Sequence, residues 1–155
     1  MEAIVPIKLE FAFQIRMEFK ERIRIDTPNG YRAYVPPAAG TIEGPRLQGR
    51  VVPYSGGDYL SNGRLDARYM LEGSDGSMIY ITNTGYLRPL DGTPAKRPGE
   101  GGNWGHKEPI YFRLTPYFEA PLESPHNWLN NTVIIGTGQR FTEPDYSIFN
   151  YYAVL

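Results

Sequence analysis

The chain has 155 residues, 41% of them hydrophobic, with sixteen basic and seventeen acidic side chains interspersed along its length. That allows one domain, residues 1–155, with a real core, and offers no basic footprint for nucleic acid and no charged anchor for a membrane surface. With no cysteine, disulfides, thiolate nucleophiles, zinc ribbons and iron–sulfur clusters are excluded.

No apolar run approaches the roughly 18 residues of a spanning helix. The start, Met1 to Pro6, lacks the basic and apolar regions of a secretion signal, so we expect a cytoplasmic protein with neither a membrane nor a nucleic-acid partner. Seventeen Gly, fourteen Pro, twelve Tyr and seven Phe point to many short strands separated by turns, because Gly and Pro are poor in helix interiors.

Residues 9 to 19 place Leu9, Phe11, Phe13, Ile15, Met17 and Phe19 on one side and Glu10, Gln14, Arg16 and Glu18 on the other, the pattern of a strand with one buried and one wet face. A shorter strand around Arg22 to Ile25 reaches a turn at Thr27-Pro28-Asn29-Gly30, and Tyr31 to Val35 returns beside it. Pro36-Pro37 is expected to end that pairing. Thr41 to Val52 is strand-like but interrupted at Gly44-Pro45, a bulge or bend of the kind that curls a sheet towards closure and re-aims Glu43. Residues 53 to 59 read as a tight loop.

Leu65 to Glu72 and Met78 to Asn83, joined through Gly73-Ser74-Asp75-Gly76, read as a β-hairpin. A turn of two or four residues groups Leu65, Ala67, Tyr69 and Leu71 with Met78, Tyr80 and Thr82 on one face. It groups Asp66, Arg68 and Met70 with Ile79, Ile81 and Asn83 on the other, so that an acid, a base and an amide sit together.

Residues 91 to 109 hold few apolar side chains and seven Gly or Pro between Gly92 and Gly105. They read as a long, flexible loop, of the kind that is either a lid or disordered. Its Gly99 to Gly105 run is no dinucleotide fingerprint, because no βαβ context surrounds it. A short helical turn near residues 125 to 129 is the one helical candidate, and strands are expected over 110 to 119, 133 to 140 and 146 to 154. Eight or nine strands with no helix to cover a sheet favour an all-β fold closed into a single antiparallel barrel, up-and-down and lipocalin-like, with a sandwich as the alternative.

Several short motifs carry a resemblance. Gly-Pro-Arg-Leu-Gln-Gly (44 to 49), Gly-Gly-Asp-Tyr (56 to 59), Leu-Asp-Ala-Arg-Tyr (65 to 69), Asp-Gly-Ser-Met-Ile-Tyr (75 to 80), Tyr-Phe-Arg (111 to 113), Phe-Glu (118 to 119), Trp-Leu-Asn (128 to 130) and Gly-Thr-Gly-Gln-Arg (136 to 140) resemble the domain of unknown function 3237 family. The resemblance runs from about residue 36 to the C-terminus and implies a small β-barrel without assigning an activity. Tyr59 stands where that family usually shows tryptophan, and the segment before Pro109 departs from its usual connection.

The candidate site residues follow from residue type and placement. Asp66 or Glu43 would serve as base, and Arg68 or Arg113 with a tyrosine hydroxyl would stabilise an enolate oxygen. Tyr69, Tyr80, Trp128, Asn130, Glu119 and Tyr59 are the candidate substrate-binding residues. Each has a bland alternative: Asp66–Arg68 as an outer-face or interface ion pair, Arg113 and Glu119 in a barrel-end salt bridge, Tyr69 and Tyr80 as packing, and Asn130 as a loop anchor. His106 and His126 lack metal-ligand spacing, and no Gly-x-Ser-x-Gly elbow is present.

The expectation is therefore a cofactor-free, metal-free isomerase, cyclase or lyase that moves a proton on an aromatic or polyketide-like carbonyl compound held in the barrel. A non-catalytic small-molecule carrier and a structural homo-oligomer built on the Asp66–Arg68 face are the alternatives.

Overall fold

The computed structural model describes residues 1–91 and 110–155. The described residues form eleven strands: β1 (Leu9–Phe19), β2 (Ile23–Thr27), β3 (Gly30–Val35), β4 (Pro37–Glu43), β5 (Gly49–Val51), β6 (Gly57–Leu60), β7 (Arg64–Gly73), β8 (Met78–Pro89), β9 (Ile110–Glu119), β10 (Ile134–Thr142) and β11 (Asp145–Val154). Eight of them, β1, β4, β5, β7, β8, β9, β10 and β11, close an antiparallel up-and-down barrel, because β7 pairs with β8 and β11 pairs back onto β1. Closure leaves these strands without an unpaired edge, which fits the lack of an α-helix among the described residues to cover one.

The remaining strands extend one wall. β5 and β6 take successive stretches of the same β7 edge, Val51 opposite Leu71 and then Gly57 opposite Arg68. β6 then pairs with β3, and β3 with β2, as a flap. Residues 57–59, expected as loop, therefore belong to a strand. The pairing of β3 ends before Pro36, as expected there, and Pro37 begins β4, whose partners are β1 and β5 instead of β2 and β6. A Cβ on Gly56 would lie 1.9 Å from the Arg68 carbonyl oxygen, so only glycine lets the chain pass β7 at that point.

Two local irregularities reverse expected faces. β7 and β8 are joined by a three-residue loop, Ser74-Asp75-Gly76, with the Gly73 amide donating to Ser77 O at 2.8 Å and Gly76 at φ 87°. An odd loop shifts the register by one residue, and Tyr69 faces Ile81 while Met70 faces Tyr80. Ile79, Ile81 and Asn83 thus join Leu65, Ala67, Tyr69 and Leu71 inside, while Tyr80 and Thr82 fall on the outer side with Asp66, Arg68 and Met70. In β1 the pairing with β11 slips at Ala12. Ala12 and Phe13 are both fully buried, and Phe11 and Leu9 lie outside at 40% and 51% exposure. A single extra residue inverts the alternation on its far side.

The barrel interior is packed rather than open. Phe13, Phe118 and Tyr151 meet edge-on or tilted at 5.1 to 6.1 Å, and Phe112 meets Phe149 at 5.6 Å. The end beneath the β7–β8 loop is closed by a 3-10 turn, Asn127–Asn131, which buries Leu129. There the buried His126 contacts Asp75 through Nε2 at 3.0 Å. The opposite end, framed by the C-terminal ends of β1, β8 and β10 and the N-terminal ends of β7, β9 and β11, is the mouth.

Candidate functional site at the barrel mouth

Alternation along the short β6 strand sets the site. Tyr59 is exposed on the outside, so Asp58 and Leu60 face inward, and Asp58 lines two small cavities of about 50 and 20 Å³. The larger one is walled by Phe19, Leu65, Phe112 and Phe149, with Arg22, Arg140 and Ser147 at its polar side. The smaller one continues inward to Tyr69 and Asn83.

The Asp58 carboxylate accepts from the Asp66 amide at 3.1 Å. Asp58 keeps some residue surface at the mouth, but its carboxyl sits deep among protein atoms. That burial pushes it up to about 7; the neighbouring Asp66 charge adds to the rise, while the Asp66 amide, Arg22 and Arg140 oppose it. A carboxyl titrating near neutrality can both accept and return a proton.

Two arginines are fixed beside it. Arg140 donates through Nη2 to Asp145 Oδ1 at 2.6 Å and through Nη1 to Ser147 Oγ at 2.9 Å. Arg22 donates to Asp145 Oδ2 through Nε at 3.1 Å and also through Nη2. Burial would raise the Asp145 carboxyl, but the hydrogen bonds and charges of the two arginines outweigh it and hold Asp145 below the usual carboxylate range.

Deeper in, Asn83 Nδ2 donates to Tyr151 Oη at 3.0 Å. Tyr69 Oη and Asn83 Oδ1 are buried without a well-formed hydrogen bond, although Tyr151 and Asn83 both approach the Tyr69 hydroxyl. Burial raises the Tyr69 hydroxyl far above its ordinary range, so it stays protonated and able to donate. Unsatisfied buried polar atoms are costly, and two of them here border the cavity that Asp58 lines.

Of the residues expected from sequence, Tyr69 alone borders these cavities. Asp66 and Arg68 project outward and line, with Tyr59 and Tyr34, an open hollow of about 760 Å³ on the outer wall. Asp66 still acts on the mouth through its amide and its charge. Glu43 is exposed opposite Gln14. Arg113 is exposed, bonded to the Phe112 carbonyl at 3.0 Å, and Glu119 is exposed opposite the half-buried Tyr80. Trp128 lies under the Arg46 guanidinium at 3.8 Å. Asn130 anchors Ala120 through two hydrogen bonds of 2.8 and 3.0 Å, the structural role weighed for it above.

Asp58, Arg22, Arg140 and Asn83 were not singled out as site residues, although Asp58 and Arg140 both sit in motifs that carry the family resemblance. Among the described residues no three His, Asp or Glu side chains gather where they could hold a metal ion, and no helix is long and apolar enough to cross a membrane. The loop expected at 91–109, with Trp104 and His106, falls almost wholly outside the described residues.

The family described as "Protein of unknown function (DUF3237)" matches residues 7–154. The chain belongs to this family. A UPF0311 protein of Clostridium acetobutylicum is 28% identical over 147 residues, covering 90% of each chain. A beta-barrel like protein from Acinetobacter baumannii superposes with TM-score 0.83 at 28% identity over the whole of both chains. More distantly, the structure of "an enzyme" from Penicillium herquei shares the fold, with TM-score 0.72 at 22% identity over 100% of this chain and 99% of that one.

Proposed function

We propose that this chain is a cofactor-independent enzyme that moves a proton on a small aromatic or polyketide-like carbonyl compound, with Asp58 at the barrel mouth as the proton-transfer group. The observation that carries the reading is the Asp58 carboxyl itself, raised to about 7 beside two small cavities with apolar walls, one edged by two guanidinium groups and the other by a protonated tyrosine. The description of the Penicillium herquei barrel as an enzyme supports a catalytic use of the scaffold.

In the proposed step the ionised Asp58 takes a proton from the carbon next to the carbonyl. The C–H electron pair becomes the enolate, and the charge gathers on oxygen. Tyr69 donates a hydrogen bond to that oxygen, and Arg140, on the wall of the other cavity that Asp58 lines, adds a fixed positive charge. Returning the proton to another carbon gives isomerisation; expelling a β-substituent gives elimination; attack of the enolate on a second carbonyl gives cyclisation. Cavities of about 50 and 20 Å³ hold the reacting end of such a molecule, with its remainder at the rim.

The carrier reading shares this mouth and differs only in having no chemistry; the raised Asp58 carboxyl is what favours the enzyme over it. The assembly reading puts an interface on the Asp66–Arg68 face; Asp66 and Arg68 do line the outer wall, while Ile79 and Ile81, which would have given that face its apolar patch, are fully buried inside.

The test is solvent exchange. Small β-diketones and aryl ketones incubated in D2O should lose α-proton signal faster with the protein than with buffer. Asp58→Asn should abolish the acceleration, while Glu43→Gln leaves it. An unaccelerated panel, or full activity in Asp58→Asn, would reject the assignment.

A further inference from the structure

Among the described residues, the Arg22–Asp145–Arg140 cluster beside Asp58 carries more positive than negative charge. Arg22 and Arg140 share one carboxylate, that of Asp145, so one guanidinium charge remains uncompensated within this cluster. Asp145 occupies Nε and Nη2 of Arg22 and Nη2 of Arg140. The Nη1 edge of Arg22 is not used by this carboxylate. Arginine edges of this kind take a carboxylate through paired N–H donors. The guanidinium carbons of Arg22 and Arg140 lie 5.8 and 5.4 Å from the centre of the Phe19 ring, which puts cation and aromatic wall side by side.

We infer that the mouth selects an anionic ligand, an apolar or aryl carboxylate such as an aryl keto acid, whose charged group pairs with Arg22 and Arg140 while its ring lies against Phe19. This rests on the mouth being the reaction site and names the substrate class that site accepts. Arg22 is the specificity-determining residue: its side chain is 33% exposed at the rim, whereas that of Arg140 is 12% exposed and committed to Asp145 and Ser147.

One linkage follows from the geometry. A bound carboxylate and an ionised Asp58 repel each other, so binding favours the protonated carboxyl, and affinity falls as pH rises through the Asp58 titration. Among the described residues, the other charged or titratable groups around Asp58 are Asp66 on β7, Arg22 after β1, Arg140 on β10 and, through the two arginines, Asp145 on β11, together with Tyr31 on β3 and Tyr69 on β7. Burial raises both tyrosine hydroxyls, so they remain neutral over this range.

Calorimetric titration of the full chain with phenylacetate and with phenylacetamide tests the inference, since the pair differs in charge and hardly in shape. At pH 6 the acid should bind about tenfold more tightly than the amide. Arg22→Gln should erase that preference, and Arg22→Lys should restore part of it, which separates loss of charge from loss of fold. Acid affinity should fall between pH 6 and 8 in the wild type and stay flat in Asp58→Asn.

Equal binding of acid and amide, binding of neither, or an intact preference in Arg22→Gln would overturn the inference. Acid-selective binding without solvent exchange on any carbonyl probe would keep the anion site and remove the proton-transfer reading. Exchange on neutral ketones without acid preference would do the reverse.

Discussion

The main-chain amide of Asp66 donates to the Asp58 carboxylate at 3.1 Å, while the Asp66 side chain points outward and its charge helps to raise the Asp58 carboxyl. A residue on the outer wall thus tunes one on the inner wall. Replacing Asp66 by Asn removes the like charge and keeps the amide donor. Solvent exchange by Asp66→Asn should therefore persist, with its pH midpoint moved to lower pH. Complete loss of activity in this variant would place Asp66 in the reaction instead.

Keeping a carboxyl near pH 7 costs stability. The folded-state value of Asp58, about 7, lies above the unfolded value of about 4. The folded state therefore holds the proton more tightly, and stability declines as pH rises between those values, with the full penalty present above pH 7. Asp58→Asn should melt higher than the wild type at pH 8, by ~1 to 3 kcal/mol in stability. At pH 3.5 the two should melt together. Thermal unfolding at the two pH values checks this, and a variant less stable than wild type at pH 8 would contradict it.

Tyr151 has a different part. Its hydroxyl accepts from Asn83 at 3.0 Å in a site where both residues are almost wholly buried. Tyr151→Phe leaves the Asn83 amide without that partner, at a cost of about 1–3 kcal/mol. Chemical denaturation should show a lower midpoint with unchanged slope.

At the closed end the sign of the pH dependence reverses. The hydrogen bond from His126, with help from Ser77, holds the Asp75 carboxyl down to about 2, below its unfolded value of about 4. This contribution is present above pH 4 and is lost as pH falls through about 2. Asp75→Asn should lower the melting temperature at pH 6, and the difference from wild type should close as the pH approaches 2.

The fold was legible because it rests on patterns that survive local irregularity: alternation in β1, β7 and β8, frequent Gly and Pro, and the absence of a helix to cover a sheet. The site was less legible, for reasons that trace to single residues. An odd three-residue loop at Ser74-Asp75-Gly76 moved Tyr80 outside and Asn83 inside, and one bulge at Ala12 moved Leu9 and Phe11 outside. Neither leaves a mark that separates it from its even-numbered alternative.

Asp58 was hidden for another reason. Gly56-Gly57-Asp58-Tyr59 has the composition of a turn, and only the close passage of Gly56 over the Arg68 carbonyl makes β6 a strand that aims the carboxyl inward. Arg22 and Arg140 are 118 residues apart in sequence and meet on Asp145 only after β10 and β11 pair back onto β1.

The most direct test needs no substrate. Carbon-13 NMR of the aspartate carboxyls, with Asp58→Asn used to assign the signal, gives the Asp58 titration in the folded protein. The account predicts a midpoint near 7. A midpoint near 4, the ordinary value for an aspartate carboxyl, would mean that the mouth does not hold a proton-transfer group poised at neutral pH, and the proposed chemistry would fall with it.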